Sequence, residues 1–359
     1  MLLITYANSD VFPSMREEDI RMLDVVNIFS MSIQPDGTAF FPQEPDFSCI
    51  PRFRAINPNI KFVIMLGYCQ NCSDAFLRKS GRERFANTLM DILRKYDLDG
   101  LDNDWEIPTY TLGDVKGRPE DRLNYTMVMR LIRQRMDEEE ARTGRHYLLT
   151  CAQSADRFIE ETIEIPKLVP LLDYINVMTY DMRGVHAFFE MKDELALPAG
   201  HHTCTYPSAG DTEGVCAQRA VELFRAMGVP DEKIVIGSGL YPKHFTDVPA
   251  RDFGLMQPSS CIEVYFLDET CGERLMPFSR LQTYIKPDEY VRHWDDDAKA
   301  CWLYNEKKQD FVTYEDEESL YWKVDYVKKE GLLGLMFYEY AYDDLHTLIP
   351  AAWQAAREN

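Results

Sequence analysis

The sequence predicts an α/β fold: a (β/α)8 barrel with one small additional module between its seventh and eighth strands. Short apolar runs of strand length alternate with longer segments of helical period, as in parallel βα units whose sheet is covered on both faces. Eight such runs occur, at residues 2–6, 25–29, 62–66, 100–106, 148–152, 175–180, 234–237 and 332–338, enough to close a barrel. The interval between the last two holds about 90 residues, where a few tens suffice for a βα crossover. A chain of 359 residues exceeds the usual single core but suits one barrel carrying an insertion.

The intervening helices follow in order. Phe85, Leu89, Ile92, Leu93 and Tyr96 fall on one helical face before the fourth run, and Leu131, Ile132 and Met136 continue a charged helix after it. Ala220, Leu223, Phe224 and Met227 lead into Gly228 and Pro230, a glycine past the helix end followed by a proline stop. Leu320, Val324 and Val327 lead to Gly331 in the same way. Residues 243–300 read as the extra module, with scattered aromatics (Phe245, Phe253, Tyr265, Phe266, Tyr284, Tyr290, Trp294) and a short β-like run at 262–267. The barrel is assigned residues 1–242 and 301–359, and the chain has no internal repeat.

A net charge of −21 and a pI near 4.8 argue against nucleic acid or an anionic membrane as partner, since both demand a basic face. A neutral or cationic glycan suits the charge better. No segment approaches the ~18 consecutive apolar residues of a membrane span. Residues 1–6 run into strand-like sequence without the regions of a signal peptide. A cytoplasmic location is expected for the chain as it stands, and a secreted one if a signal had been removed and a start Met added. The nine cysteines are odd in number and mostly lie in apolar segments, like Cys151, so they read as reduced core thiols. Cys69 and Cys72 form a lone C-x-x-C without a second pair at zinc spacing, and no structural metal is expected there. Cys204 with Cys216, or Cys261 with Cys271, could pair on export.

Residues 99–106 read Asp-Gly-Leu-Asp-Asn-Asp-Trp-Glu. If 101–106 are extended, Asp102, Asp104 and Glu106 line one face while Leu101, Asn103 and Trp105 line the other. Like charges held that close cannot all ionise freely, so at least one pKa rises, and a carboxyl stays protonated near neutrality as a general acid. A solvated acidic run would not interleave Leu and Trp at strand spacing. A calcium loop would need glycine where Ile107 stands. The stretch resembles the Asp-x-x-Asp-x-Asp-x-Glu signature of glycoside hydrolase family 18, the chitinases and their relatives, matched at Asp99, Asp102, Asp104 and Glu106 with the common Gly100 and Trp105.

Two further stretches extend the resemblance. In the sixth run, period two puts Asn176, Met178 and Tyr180 inward with Asp181 at the strand exit, similar to the family's Met-x-Tyr-Asp. In the eighth, Tyr338 stands where most relatives have a Trp under the reacting sugar; Tyr keeps an apolar face and adds a hydroxyl. The third run departs from the family's Ser-x-Gly-Gly, since of Met65, Leu66, Gly67 and Tyr68 only Gly67 matches.

The resemblance implies a TIM barrel with an α+β insertion between strands seven and eight that walls one side of a cleft. It implies retaining hydrolysis of β-1,4 bonds next to N-acetylglucosamine without a protein nucleophile. Glu106 would protonate the leaving oxygen, and the sugar's acetamide oxygen would attack. Asp104 and Tyr180 would stabilise the oxazolinium, and Asp102 would exchange a proton with Asp104. Met178, Asp181, Tyr338, Tyr6, Phe29 and Tyr241 are expected to bind sugar, and Asp99 is placed with them while supporting the strand. His201 and His202 read as loop polar residues. No metal and no organic cofactor are implied. The expected partner is chitin or a chitooligosaccharide, with no nucleic acid and no membrane, and the chain is expected to be a monomer. Two alternatives stay open: a chitin-oligosaccharide-binding lectin, and an endo-β-N-acetylglucosaminidase acting on N-glycans.

Overall fold

The computed structural model describes residues 1–358 apart from 68, 112–114, 157, 184–197, 213, 215, 260, 264–276, 285 and 287. In chain order its strands are β1 (Leu2–Asn8), β2 (Val25–Ile33), β3 (Ala39–Phe40), β4 (Lys61–Leu66), β5 (Gly100–Asn103), β6 (Leu148–Ser154), β7 (Tyr174–Met178), β8 (Ile234–Gly239), β9 (Lys243–Thr246), β10 (Cys261–Glu263), β11 (Val291–Asp295), β12 (Ala300–Asn305), β13 (Asp310–Tyr314) and β14 (Gly334–Tyr338). Eight of them pair in parallel in the order β1-β14-β8-β7-β6-β5-β4-β2, and pairing of β1 with β2 closes the ring. These are the eight predicted runs, and the chain is a (β/α)8 barrel.

Period two sorts the side chains into two layers. Ile4, Tyr6, Val25, Val63, Met65, Tyr174, Val235 and Met336 fill the barrel interior as one cluster. Their neighbours Leu3, Val26, Ile64, Leu101, Leu149, Ile175, Ile236 and Leu335 belong to the larger core shared with the surrounding helices. The helix Lys79–Lys95 buries Phe85, Leu89 and Leu93 there, each worth about 2 kcal/mol against exposure. Gly228 and Gly331 follow their helices with φ of +85° and +69°, the left-handed turn that favours glycine.

Two strands end sooner than predicted. β5 stops at Asn103 rather than at 106, because the Trp105 N–H turns to the Asn103 side-chain oxygen (3.2 Å) instead of a ladder partner. Asp104 N–H still reaches Leu66 O at 3.1 Å, so the row of carboxylates continues past the strand end. β7 stops at Met178, just before Asp181 takes a left-handed φ of 57°.

The insertion combines a five-stranded antiparallel sheet, β10-β9-β13-β12-β11, with the helix Phe278–Tyr284 between β10 and β11. It runs past residue 300, the expected end of the module, to Tyr314. The reason is long-range pairing: Phe311 lies opposite Phe245, and both bury with Trp302 and Tyr304 in a separate aromatic core. Tyr265 and Phe266 lie outside the described residues.

Cysteine usage also differs from the reduced-thiol expectation. Cys69 and Cys72 are joined in a disulfide, because the turn into the helix Cys72–Phe76 brings their Cα atoms within 5.3 Å. Cys204 and Cys216 are buried and free, as are Cys49, Cys151 and Cys301; Cys271, the expected partner of Cys261, lies outside the described residues. Among the described residues no helix is long and apolar enough to cross a membrane.

Candidate active site

The barrel strands share one C-terminal rim, and β5 carries its carboxylates to it. Asp102 is the deepest and is fully buried. It accepts the Tyr6 hydroxyl at 2.6 Å, the Thr150 hydroxyl, and the Asn176 amide at 3.1 Å, so three strands hold it. Burial pushes its carboxyl up while these donors pull it down. Asp104 comes next, and its Oδ1 is buried with no hydrogen-bond partner. Burial, then the charges of Glu106 and Asp102, push it well above the usual carboxylate range. Glu106 stands at the open end, pushed up to about 7 by burial and then by the charge on Asp181. The row is thus graded: a deep carboxyl held by three donors, an unpaired one in the middle, and an outer one that keeps its proton near neutrality. Such an outer group can donate a proton to a leaving oxygen. On the opposite face Trp105 stacks on Tyr125 (5.9 Å, 29°) and meets Phe76, which fixes the backbone that carries the row.

Aromatic rings surround the row. Tyr338, at the end of β14, lies nearly parallel to Phe29 (6.1 Å, 18°) and Tyr180 (5.8 Å, 27°), with Tyr6 tilted at 5.8 Å and Tyr241 edge-on at 6.4 Å. Met178 packs on the same interior cluster. A Cβ at Gly237 would stand 2.8 Å from the Tyr180 ring and 2.7 Å from the Met336 methyl, so glycine on β8 makes the room that Tyr180 occupies. Asp181 follows Tyr180, and its Oδ1 accepts the Tyr241 hydroxyl at 2.5 Å and lies 2.8 Å from Lys243 Nζ. Burial would raise this carboxyl, but the Lys243 charge, with His202, holds it below the usual range.

The structure brings Asp102, Asp104, Glu106, Met178, Tyr180, Asp181, Phe29, Tyr241 and Tyr338 to one rim. Tyr6 reaches it from below, with its hydroxyl committed to Asp102. Asp99 is elsewhere. It precedes β5 at the opposite end of the barrel, five residues and so roughly 17 Å from Asp104 at ~3.3 Å per residue. There Arg54 (3.0 Å), Arg145 (2.8 Å) and the Phe62 N–H (2.8 Å) clamp it, so it supports the strand and does not meet sugar. His201 and His202 lie in a loop as expected, but they are buried there, being 2% and 0% exposed. His201 bonds Asp295 at 3.2 Å, and His202 packs on the Tyr241 ring.

Three further groups were not singled out in the sequence. Thr150 sits inward on β6, a position that period two marks once the strand is placed. Glu339, next to Tyr338, is pushed up to about 7 by burial, although the Asn8 N–H and the Tyr342 hydroxyl bond it. Lys243 belongs to the inserted sheet and has no motif around it. Tyr68 lies outside the described residues. Among those residues no group of three or more His, Cys, Asp or Glu side chains could hold a metal ion.

The model of glycosyl hydrolases family 18 matches residues 4–343. Chitinase A1 of Niallia circulans is 32% identical over 309 residues, covering 83% of this chain and 42% of that protein. An endochitinase of Manduca sexta is 27% identical, covering 82% and 52%. The chain thus spans about half the length of these curated relatives. Among solved structures, a family 18 N-acetylglucosaminidase from Paenibacillus barengoltzii superposes with a TM-score of 0.88 at 32% identity, covering 99% of each chain.

Proposed function

Because the chain belongs to glycosyl hydrolases family 18, we propose that it hydrolyses β-1,4 bonds next to N-acetylglucosamine with retention, the substrate's own acetamide acting as nucleophile. The graded row Asp102, Asp104, Glu106 carries this reading. Asp104 and Glu106 project from the same continuation of one strand, so they cannot flank a sugar from opposite faces as acid and nucleophile. The substrate then supplies the second partner. Glu106 gives its proton to the glycosidic oxygen, the C1–O bond breaks, and the acetamide oxygen closes on C1. Asp104 offsets the positive charge of the oxazolinium. Tyr180, beside it, is a hydrogen-bond donor to the acetamide. Water then adds to C1 and returns a proton to Glu106 while the ring opens. Asp102, gripped by three donors, exchanges a proton with Asp104, so that as the oxazolinium forms the proton passes to Asp102 and the negative charge to Asp104. Tyr338 offers its ring face to the reacting sugar.

Release of single N-acetylglucosamine units is a second reading, favoured by the 99% mutual coverage with a family 18 N-acetylglucosaminidase. A lectin role is disfavoured by the presence of Glu106 with both aspartates. Chitotetraose, cellotetraose and a high-mannose glycopeptide, followed by NMR and mass spectrometry, test these readings together. Expected are cleavage of chitotetraose with first release of the β-anomer and no cleavage of cellotetraose. Monomers from the start favour the second reading. Initial α-anomer, or comparable rates on cellotetraose, overturns the acetamide mechanism.

A further inference from the structure

The inserted sheet touches the rim through one buried cation. Lys243 is the first residue of β9 and is only 3% exposed, and an ammonium taken that far from water needs a partner. Its Nζ lies 2.8 Å from Asp181 Oδ1 and 3.4 Å from the Arg183 carbonyl. In the sheet register Lys243 pairs with Thr313 of β13, whose hydroxyl accepts the His202 N–H at 3.3 Å. One rung of the module therefore anchors both Lys243 and His202 against the exit of β7. His202 Nδ1 stands 3.8 Å from Asp181 Oδ1, and its ring supports Tyr241, whose hydroxyl bonds the same oxygen.

We propose that Lys243 is a positioning residue for the hydrolytic reaction: it fixes Asp181 as a charged, oriented partner of the proton donor and so makes the inserted module an electrostatic part of the active site. This rests on the assignment of Glu106 as that donor. The groups around Asp181 in the described structure are Lys243 from β9, Tyr241 from the β8–β9 link, His202 from the segment before it, Tyr180 after β7, Glu106 beyond β5 and Tyr338 on β14. Glu315 also acts on His202. His202 is held neutral by burial, which lowers its pKa despite Asp181. Lys243 is then the one fixed cation in this set. Asp181 and Glu106 titrate as interacting sites, and removing a nearby cation raises the pH at which such a pair loses its last proton. It also lets Asp181 compete with Glu106 for that proton.

The test is the pH dependence of kcat/KM on chitotetraose for Lys243→Met and Lys243→Arg. With Met, the basic limb should move up by about half a pH unit or more and the plateau should fall roughly tenfold; Arg should restore both. A limb that stays in place or moves down overturns the proposal, because loss of packing alone lowers the plateau without moving the limb. If the Met variant does not fold, 13C titration of carboxyl groups in the wild-type protein decides. Asp181 should stay ionised well below the ordinary ~3.9 of an aspartate, and titration at or above that value overturns the proposal. Glu106→Gln separates the two assignments: retained activity refutes the donor, whereas lost activity with an unmoved Lys243→Met limb refutes only Lys243.

Discussion

Asp181→Asn keeps the size of the side chain and removes one negative charge that acts on Glu106. Glu106 rises from 4.5 to about 7, with burial as the larger cause and Asp181 as the second. At pH 7 a carboxyl of pKa 4.5 is protonated in about 0.3% of molecules and one of pKa 7 in about half, so the raised value supplies a roughly 150-fold larger population of donor. An anion disfavours ionisation of its neighbour, so its removal lowers the Glu106 pKa. The basic limb of kcat/KM should therefore move down from near 7 to a position between 4.5 and 7. A shift of about one unit, or ~1.4 kcal/mol, would cost close to tenfold at pH 7.5 beyond any loss at pH 5. Initial rates on chitotetraose from pH 4 to 9 separate this from weaker sugar binding, which lowers the whole profile uniformly. A limb that stays near 7, or moves up, refutes the electrostatic role of Asp181.

Tyr338→Ala removes the ring that four other aromatics surround and should weaken chitooligosaccharide binding by ~1 kcal/mol or more; unchanged calorimetric affinity would place the sugar elsewhere. Asp99→Ala takes a buried carboxylate from the Phe62 N–H and from Arg54 and Arg145, which both keep Asp97, and should destabilise the fold by about 2 kcal/mol. KM should not change, and a raised KM at full folding would return Asp99 to the substrate. His146 lies 2.7 Å from both Glu140 and Asp173; burial would lower its pKa, but the two carboxylates raise it. A raised folded-state pKa contributes stability that is fully present below the unfolded value of ~6.5 and is lost as pH rises through the folded one. His146→Gln should therefore lower Tm at pH 5.5 by less than about 1 kcal/mol equivalent, since the ring is half exposed, and change it little at pH 9. An equal loss at both pH values would make the contact steric. Gly237→Ala should displace Tyr180 and reduce kcat with the fold intact; a normal kcat would show that the ring has room to shift.

By itself the sequence determined the eight strands, four of the helices around them and the acidic row. Each is a local pattern: burial on one or both faces imprints a period of two or 3.6 on neighbouring residues, and Asp102, Asp104 and Glu106 lie within five residues of one another. Tertiary structure decided the rest. Asp99 shares the motif with Glu106, but its place at the far end of the barrel depends on the direction and length of β5, which a motif does not contain. The module's end at Tyr314 rather than 300 follows from antiparallel pairing of β13 with β9, strands more than 60 residues apart in the chain. Thr150, Asn176 and Tyr6 meet Asp102 only when the ring closes. Lys243 and His202 reach Asp181 only when the inserted sheet docks on the exit of β7. Such contacts leave no trace in local spacing, because nothing about a lysine in a short strand distinguishes a solvated ammonium from one buried against a carboxylate until the opposite wall is in place.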